Sequence, residues 1–423
     1  MSDAPQGDSQ QRSARLLLSA LVALGLLARL TLAFAMGDGQ AGRMPESAEY
    51  LAIARSVAEG GGFVLRAAST SGPADGSGRA EAARHMPGYP LILAAAEAGF
   101  DAGDRAVLVF QSLCGAATLG VVIWMAARLA GLWAAVAAAA LLTFAPYQVY
   151  LSAQIAPVVP VGLAFAAVTA AGLGFLDAVS DGGRRGWLWA ATAGLALAVA
   201  TYLDAWAAGL VVAAGLAALA SRRRRRLLAG WALATAVLVA ALAPWLVRNA
   251  VRVGAPVLTT DVGLRLYEGT GGDAAAAEVL VPPEGVDEAG RCMFYLRRAA
   301  GRIAEAPASW LGRAAHRVAR LWTPGAMTEA GEGLLHPAAG YTGLVPTAAL
   351  ALAGLAVYRR RAVALWLIVG AVYVTLVHGV LPGPATDRLA VMPSLAALGG
   401  VGIVTLLGRG NRAISDSGLP NPG

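Results

Sequence analysis

The chain contains no lysine, and all 33 of its basic residues are arginine. Charge of either sign is scarce: 14% of residues, against roughly 25% in an ordinary soluble domain, so lipid rather than water is the expected solvent. The arginines that produce the net charge of +7 stand mostly at the ends of apolar runs. There they read as topology signals, and no basic, aromatic-interleaved platform for nucleic acid is present. The two cysteines, Cys114 in an apolar run and Cys292 in a polar segment, form no disulfide framework. The four histidines (His85, His316, His336, His378) lack ligand spacing, so no metal site and no cofactor are expected.

What remains is apolar: 57% of residues are hydrophobic. A hydrocarbon core about 30 Å thick needs roughly 20 helical residues. Runs of about that size occur near 15–36, 106–127, 131–151, 154–176, 186–202, 204–220, 228–247, 341–358, 362–380 and 387–407. The stretch from Trp187 to Ala220 is too long for one crossing, and Thr201-Tyr202-Leu203-Asp204 divides it. The fold class expected is an all-α polytopic membrane protein of about ten transmembrane helices, with amphipathic helices in two long loops. Placing the N-terminus in the cytoplasm puts Arg128, Arg184–Arg185, Arg222 to Arg226, Arg359 to Arg361, Arg409 and Arg412 all on the cytoplasmic side. A plasma-membrane (inner-membrane) protein with both termini cytoplasmic follows.

The expected organisation is a cytoplasmic tail 1–14, a transmembrane region 15–247 with a first outer loop 37–104, a second outer loop 248–340, C-terminal helices 341–407 and a cytoplasmic tail 408–423. Residues 1–36 also have the form of a secretory signal, with Ala33-Phe34-Ala35 as a cleavage site; the length of the apolar run and Arg29 favour a retained helix. Arg29 is expected to snorkel to the outer interface.

Chemistry in such a chain is expected in the two long outer loops. In the first, Pro45 can open a helix and Gly60 to Gly62 can end it. Apolar positions 50, 51, 54, 57 and 58 follow the helical period, which predicts an amphipathic helix lying on the membrane. Glu46 is expected in its first turn, where the dipole favours an ionised carboxylate, sharing a face with Tyr50 and with Glu49 beside it. Both glutamates would equally be explained as solvated helix-start residues. Residues 69–78 read as a Gly/Ser-rich excursion. Arg84-His85-Met86-Pro87-Gly88-Tyr89-Pro90 then predicts a sharp turn that places Arg84 and His85 at the interface, followed by a short helix to about Phe100. Near the end of the second loop, Leu311, Ala315, Val318 and Trp322 line one face of a helix and Arg313, Arg317 and Arg320 the other, the pattern of surface anchoring.

The helix carrying Glu46 and Tyr50, the following Gly61-Gly62-Phe63 and the later Pro87-Gly88-Tyr89-Pro90 resemble the GT-C membrane glycosyltransferases, in particular the bacterial branch similar to protein O-mannosyltransferases and lipid A aminoarabinose transferases. Gln111 to Gly115, Phe144-Ala145-Pro146 through Tyr150, Pro244-Trp245-Leu246-Val247-Arg248-Asn249, Thr259 to Gly269, Ala306-Pro307 through Pro324 and Asp387-Arg388-Leu389 through Pro393 are similar to family segments in the same order.

The resemblance implies a sugar transferred on the outer face from a polyprenyl-phosphate donor, with membrane lipids as further partners. It implies Glu46 in the position of the catalytic aspartate, with Glu49 as the neighbouring catalytic candidate. Tyr50, Arg84, His85, Asp204, Arg248, Asn249, Tyr267 and Arg388 are the donor- and substrate-binding candidates. Glutamate for aspartate moves the carboxylate by about 1.5 Å, and a misplacement near 1 Å can cost about a hundredfold in rate. Gln154-Ile155-Ala156-Pro157 stands where relatives often carry an acid, and Thr201-Tyr202-Leu203-Asp204 where they often read Thr-Arg-Pro-Glu. A transporter or flippase is the alternative from another class, although no internal repeat supports it; a catalytically silent membrane relative is a third.

Overall fold

The structure is a computed structural model that describes residues 4–35, 46–65, 81–100, 103–179, 183–221, 223–271, 285–324, 338–358 and 361–408. Among these the protein is all-α, with one isolated antiparallel bridge between Leu65 and Glu81. In chain order the helices are α1 (Ala4–Ala35), α2 (Ser47–Ala58), α3 (Gly88–Gly99), α4 (Gly103–Thr143), α5 (Pro146–Ser152), α6 (Val158–Ala178), α7 (Arg184–Leu203), α8 (Leu210–Leu219) and α9 (Arg224–Val253). They continue with α10 (Asp261–Glu268), α11 (Glu288–Glu305), α12 (Pro307–Trp322), α13 (Ala338–Val357), α14 (Arg361–Val380) and α15 (Met392–Leu406).

Among the described residues six helices are long and apolar enough to cross a membrane: Ser9–Ala35, Gly103–Thr143, Val158–Ala178, Arg184–Leu203, Arg224–Val253 and Ala362–Val380. Three shorter apolar helices accompany them, Ala205–Leu219, Tyr341–Val357 and Met392–Leu406. The 41-residue α4 is bent at Ala130–Gly131, where the backbone leaves helical geometry, so it supplies two of the segments expected from the sequence. The expected break at Asp204 is also present, as an extended residue between α7 and a 3-10 turn over Ala205–Gly209. Leu16, Leu27, Leu216, Val247, Leu376 and Leu406 are all more than 60% exposed, as lipid-facing side chains must be when no water drives them inward.

The core has two parts. One gathers α4, α13 and α15 around Met125, Leu142, Leu367 and Leu398. The other joins α6, α7 and α9 to α2 and α3 through Tyr50, Tyr89, Ile155, Phe165 and Trp245. This second part anchors the first loop. Gln111, fully buried on α4, accepts a hydrogen bond from Tyr89 Oη (2.9 Å) and donates to the carbonyls of Ser152 (3.2 Å) and Gln154 (2.7 Å). Ser47 Oγ donates to Ile155 O at 2.5 Å. The turn before α6 is thereby fixed against α2, α3 and α4.

Several expectations need correction. Glu46 is the N-cap of α2, not a residue of its first turn; Pro45 lies outside the described residues. Helix α2 packs on α3 with Ser47, Glu49, Tyr50, Leu51, Ile53 and Ala54 buried, because its apolar stripe meets protein rather than the membrane surface. It ends as expected, with Gly60 and Gly62 at φ of 78° and 79°.

Arg29 does not snorkel. It is 2% exposed and donates from Nη1 to Gly25 O (2.8 Å), with its guanidinium over Gly115, where any Cβ would collide with it. Helix α9 runs to Val253, past the expected start of the second loop at 248. The excursion 69–78, Arg222, Arg359, Arg360, Arg409, Arg412 and most of the tail 408–423 lie outside the described residues.

Candidate active site at one end of the bundle

The C-terminal ends of α7, α9 and α14 and the N-terminal ends of α6 and α15 meet the two long loops at one end of the bundle. The loops are stitched together there. Glu288 accepts from the backbone amides of Ala82 (2.7 Å) and Ala83 (2.8 Å) and from Thr260 Oγ1 (2.6 Å), and Thr260 N donates to Ala83 O at 2.9 Å. Between them lies a cavity of about 420 Å³. Its walls include Glu46, Glu49, Tyr50, Arg84, His85, Asp204, Trp206, Asp261, Arg265, Glu268 and Asp387.

Glu49 is 3% exposed and its Oε2 is held by Arg84 Nε at 2.9 Å and His85 Nε2 at 2.5 Å. Burial pushes this carboxyl up, but the hydrogen bond from His85 and the charges of Arg84 and His85 outweigh it, and the net shift is downward. Arg84 also reaches Glu81 (3.3 Å). Tyr50 packs against His85 with the rings tilted by 45° (4.6 Å between centroids) and meets Tyr89 edge-on at 5.3 Å. Arg84 and His85 are therefore packed inside the site, not at the lipid interface, and Glu49 is not a solvated helix-start residue.

Glu46 is more open, its side chain 38% exposed. Its Oε1 accepts from Arg265 Nη2 at 2.7 Å, and Arg265 Nε is paired with Asp261 one turn earlier on α10. Burial would raise the Asp261 carboxyl, yet Arg265, Arg84 and His85 together bring it below the usual range. Asp204, half-buried, and Asp387 complete the acidic lining, and Asp387 Oδ2 is 2.8 Å from His378 Nε2.

A second cavity of about 500 Å³ adjoins the first across Glu268, Pro382 and Gly383. Arg313, His316, Arg317 and Arg320 of α12 line it. Arg317 donates to Gly269 O and Gly379 O, whereas Arg313 Nε is enclosed without a hydrogen-bond partner among the described residues. The basic face of α12 thus lines a cavity, with Arg313 and Arg317 half-buried and His316 and Arg320 exposed at its rim, while Leu311 and Ala315 are also exposed.

Of the residues expected in the site, Glu46, Glu49, Tyr50, Arg84, His85 and Asp204 come together in the first cavity. Four others are placed elsewhere. Arg248 donates to Ala82 O (2.5 Å), Phe63 O (2.9 Å) and Asn249 Oδ1 (2.8 Å), with its guanidinium 4.6 Å from the Trp245 ring. Asn249 is fully buried and donates to Val257 O (2.8 Å). Tyr267 lies under Arg302 (4.7 Å) and beside Tyr295 (5.6 Å). Arg388, 2% exposed, donates to the carbonyls of Leu321 (2.6 Å), Thr323 (2.7 Å) and Pro324 (3.2 Å) at the end of α12. The structure adds Asp261, Arg265, Glu268, His378 and Asp387. The i,i+4 spacing of Asp261 and Arg265 was the one local signal for any of these.

Residues 84–247 match the family profile of dolichyl-phosphate-mannose-protein mannosyltransferase, a match that begins at Arg84 and so leaves out Glu46 and Glu49. The oligosaccharyltransferase AglB of the archaeon Archaeoglobus fulgidus, solved with an inhibitory peptide and a dolichol-phosphate, superposes with a TM-score of 0.54 at 15% identity over 96% of this chain and 52% of that chain. Its apo form gives 0.56 at the same identity and coverage. The chain shares the all-α membrane fold of this archaeal oligosaccharyltransferase. ArnT of Cupriavidus metallidurans, solved bound to undecaprenyl phosphate, aligns over 91% of this chain and 77% of that chain at 16% identity, with a TM-score of 0.43. No curated protein matches the sequence. The chain spans about half the length of the archaeal oligosaccharyltransferase.

Proposed function

We propose that the protein is an integral-membrane glycosyltransferase that moves a sugar from a polyprenyl-phosphate donor to a hydroxyl-bearing acceptor on the outer face of the plasma membrane. The observation that carries this is the pairing of two cavities: one lined by carboxylates with Glu46 accessible, the adjoining one lined by the arginines of α12. Glycosyl transfer passes through an oxocarbenium-like transition state and needs a base for the acceptor and cations for the departing phosphate. In this reading Glu46 takes the acceptor hydroxyl proton as its oxygen bonds to the anomeric carbon. The bond from that carbon to the phosphate oxygen breaks, and the polyprenyl phosphate leaves with the bonding pair. Arg313 and Arg317 stand where that phosphate is received. The profile match to a dolichyl-phosphate-mannose-dependent family and the dolichol-phosphate found in the archaeal relative both support a polyprenyl-phosphate donor.

The test is transfer from radiolabelled lipid-linked sugars in membranes containing the protein. Glu46→Gln should reduce transfer by at least about a hundredfold, the usual worth of a positioned base, while the protein still purifies as a folded, undecaprenyl-phosphate-binding species. Full transfer by Glu46→Gln would place the chemistry elsewhere.

A further inference from the structure

The end of the bundle opposite the cavities carries a cluster of charge that the transfer reaction does not use. Helix α7 leads to Asp204 in the cavity wall at one end and starts with Arg184–Arg185 at the other, about 30 Å away at about 1.5 Å per residue. The bend of α4, the end of α6 and the start of α9 meet it there. Trp124 of α4 lies 5.9 Å from Trp189 of α7, and a Cβ added at Gly186 would sit 3.7 Å from Ala178 O of α6. Arg226 Nη1 donates to Val179 O at 3.0 Å, and any Cβ at Gly230 would collide with the Phe175 ring, so the start of α9 is seated on the same end of α6. Arg184, Arg185, Arg223, Arg224 and Arg225 are thereby brought onto one surface, and all five are exposed.

Among the described residues these five form no ion pair. Asp177 of the same surface accepts from Arg128 at 2.6 Å. Neither α7 nor α9 has an acidic residue in its first turn, and Asp181 and Arg222 on the adjoining turns lie outside the described residues. Like charges held together repel, and cations at helix starts also oppose the helix dipole, so the cluster calls for anions from outside the chain. The neighbouring surface says which kind. Trp187, Leu188, Leu216 and Leu219 are between 48% and 62% exposed. The arginines therefore stand at the rim of the lipid-facing apolar belt, at the depth of the headgroups.

We propose that this arginine surface is a binding site for anionic phospholipids, holding their phosphates while the chains lie along the exposed apolar faces of α7 and α8. Arginine suits the task because its planar fork meets a phosphate through two parallel hydrogen bonds and stays charged. Each basic residue near a membrane surface favours anionic lipid by about fivefold in affinity. The proposal rests neither on Glu46 nor on sugar transfer. It is tested on the full chain purified in neutral detergent, to which dioleoylphosphatidylglycerol or dioleoylphosphatidylcholine is added. Native mass spectrometry reads retained lipid, and thermal unfolding reads stabilisation. Wild type should retain phosphatidylglycerol at least about tenfold better than phosphatidylcholine, and should unfold at a higher temperature with it.

The combined Arg223→Gln, Arg224→Gln and Arg225→Gln variant should lose most of both effects. Without added lipid it should unfold no earlier than wild type, because the repulsion is relieved. A control with Arg297→Gln and Arg298→Gln, two exposed arginines of α11, should behave as wild type. Equal retention of the two lipids by wild type overturns the proposal, and so does a preference that survives in the triple variant. The same loss in the α11 control would make the effect one of net charge and overturn it too. Full stabilisation by inorganic phosphate would assign the cluster to a soluble anion instead. If the triple variant does not reach the membrane, Arg184→Gln with Arg185→Gln carries the same comparison, and an unchanged preference there overturns the proposal.

Discussion

Glu49 shows how little an acidic residue in a catalytic loop says about its work. Its carboxylate is enclosed and bound on one oxygen by both Arg84 and His85, which suits it to hold rather than to react. Because its folded-state pKa is depressed, the stability it contributes is present above the ordinary glutamate value of about 4.3 and is lost as pH falls through the lower folded value. Glu49→Gln leaves Arg84 without its buried counter-charge, a loss of about 3 kcal/mol. Thermal unfolding in detergent should show Glu49→Gln well below wild type at pH 7, with the gap narrowing below about pH 4 as the wild-type carboxylate protonates. A constant gap across that range would mean that the loss comes from packing rather than from the charge.

At the scale of elements, arginines divide by what surrounds them and not by the motif that carries them. Arg248 sits in a segment similar to the family's Pro-Trp-x-x-Arg-Asn stretch, yet it ties Phe63, just after α2, to Ala82, just before the Arg84–His85 turn. These residues flank the Leu65–Glu81 bridge, so Arg248 closes the base of the first-loop excursion. Arg388 does comparable work on the last carbonyls of α12. Three hydrogen bonds from a charged donor to enclosed carbonyls are worth several kcal/mol to the local fold, at about 1.5–3 each.

Arg248→Ala should therefore lower the unfolding temperature, Arg248→Lys should not rescue it because the fork is lost, and the KM for donor in surviving enzyme should stay close to wild type. A raised KM with normal stability would return Arg248 to the substrate. Nothing in a linear sequence distinguishes an arginine that will cap carbonyls from one that will meet a phosphate. That is why Arg248, Asn249, Tyr267 and Arg388 could be singled out but not placed. Glu46, Glu49, Tyr50, Arg84 and His85 were legible together because two adjacent loop segments carry them. Arg265 was not, because its partner Glu46 is 219 residues away in sequence. The helices themselves were legible almost throughout, since the length and apolarity that lipid demands are written locally.

For the whole molecule, orientation is read from where arginines fall in short turns between helices. At the end of the bundle opposite the cavities, the turns between helices carry Arg128, Arg184, Arg185 and the run Arg223 to Arg226, in short loops of the kind that set orientation. At the cavity end, Arg84 is offset by Glu49, and Arg265 by Glu46 and Asp261, so the arginines of the reaction cavity add little net charge there. On the positive-inside rule, the outer-face transferase proposed above requires the arginine turns to be cytoplasmic and both cavities to lie outside. Glu59, at the exposed end of α2, and Arg225, exposed at the start of α9, mark the two sides. In a background with the buried Cys114 and Cys292 replaced by alanine, a membrane-impermeant maleimide applied to intact cells should label Glu59→Cys and should reach Arg225→Cys only after lysis. Labelling of Arg225→Cys on intact cells with Glu59→Cys protected would turn the molecule over. It would move the candidate base to the cytoplasmic side and end the proposal of an outer-face transferase.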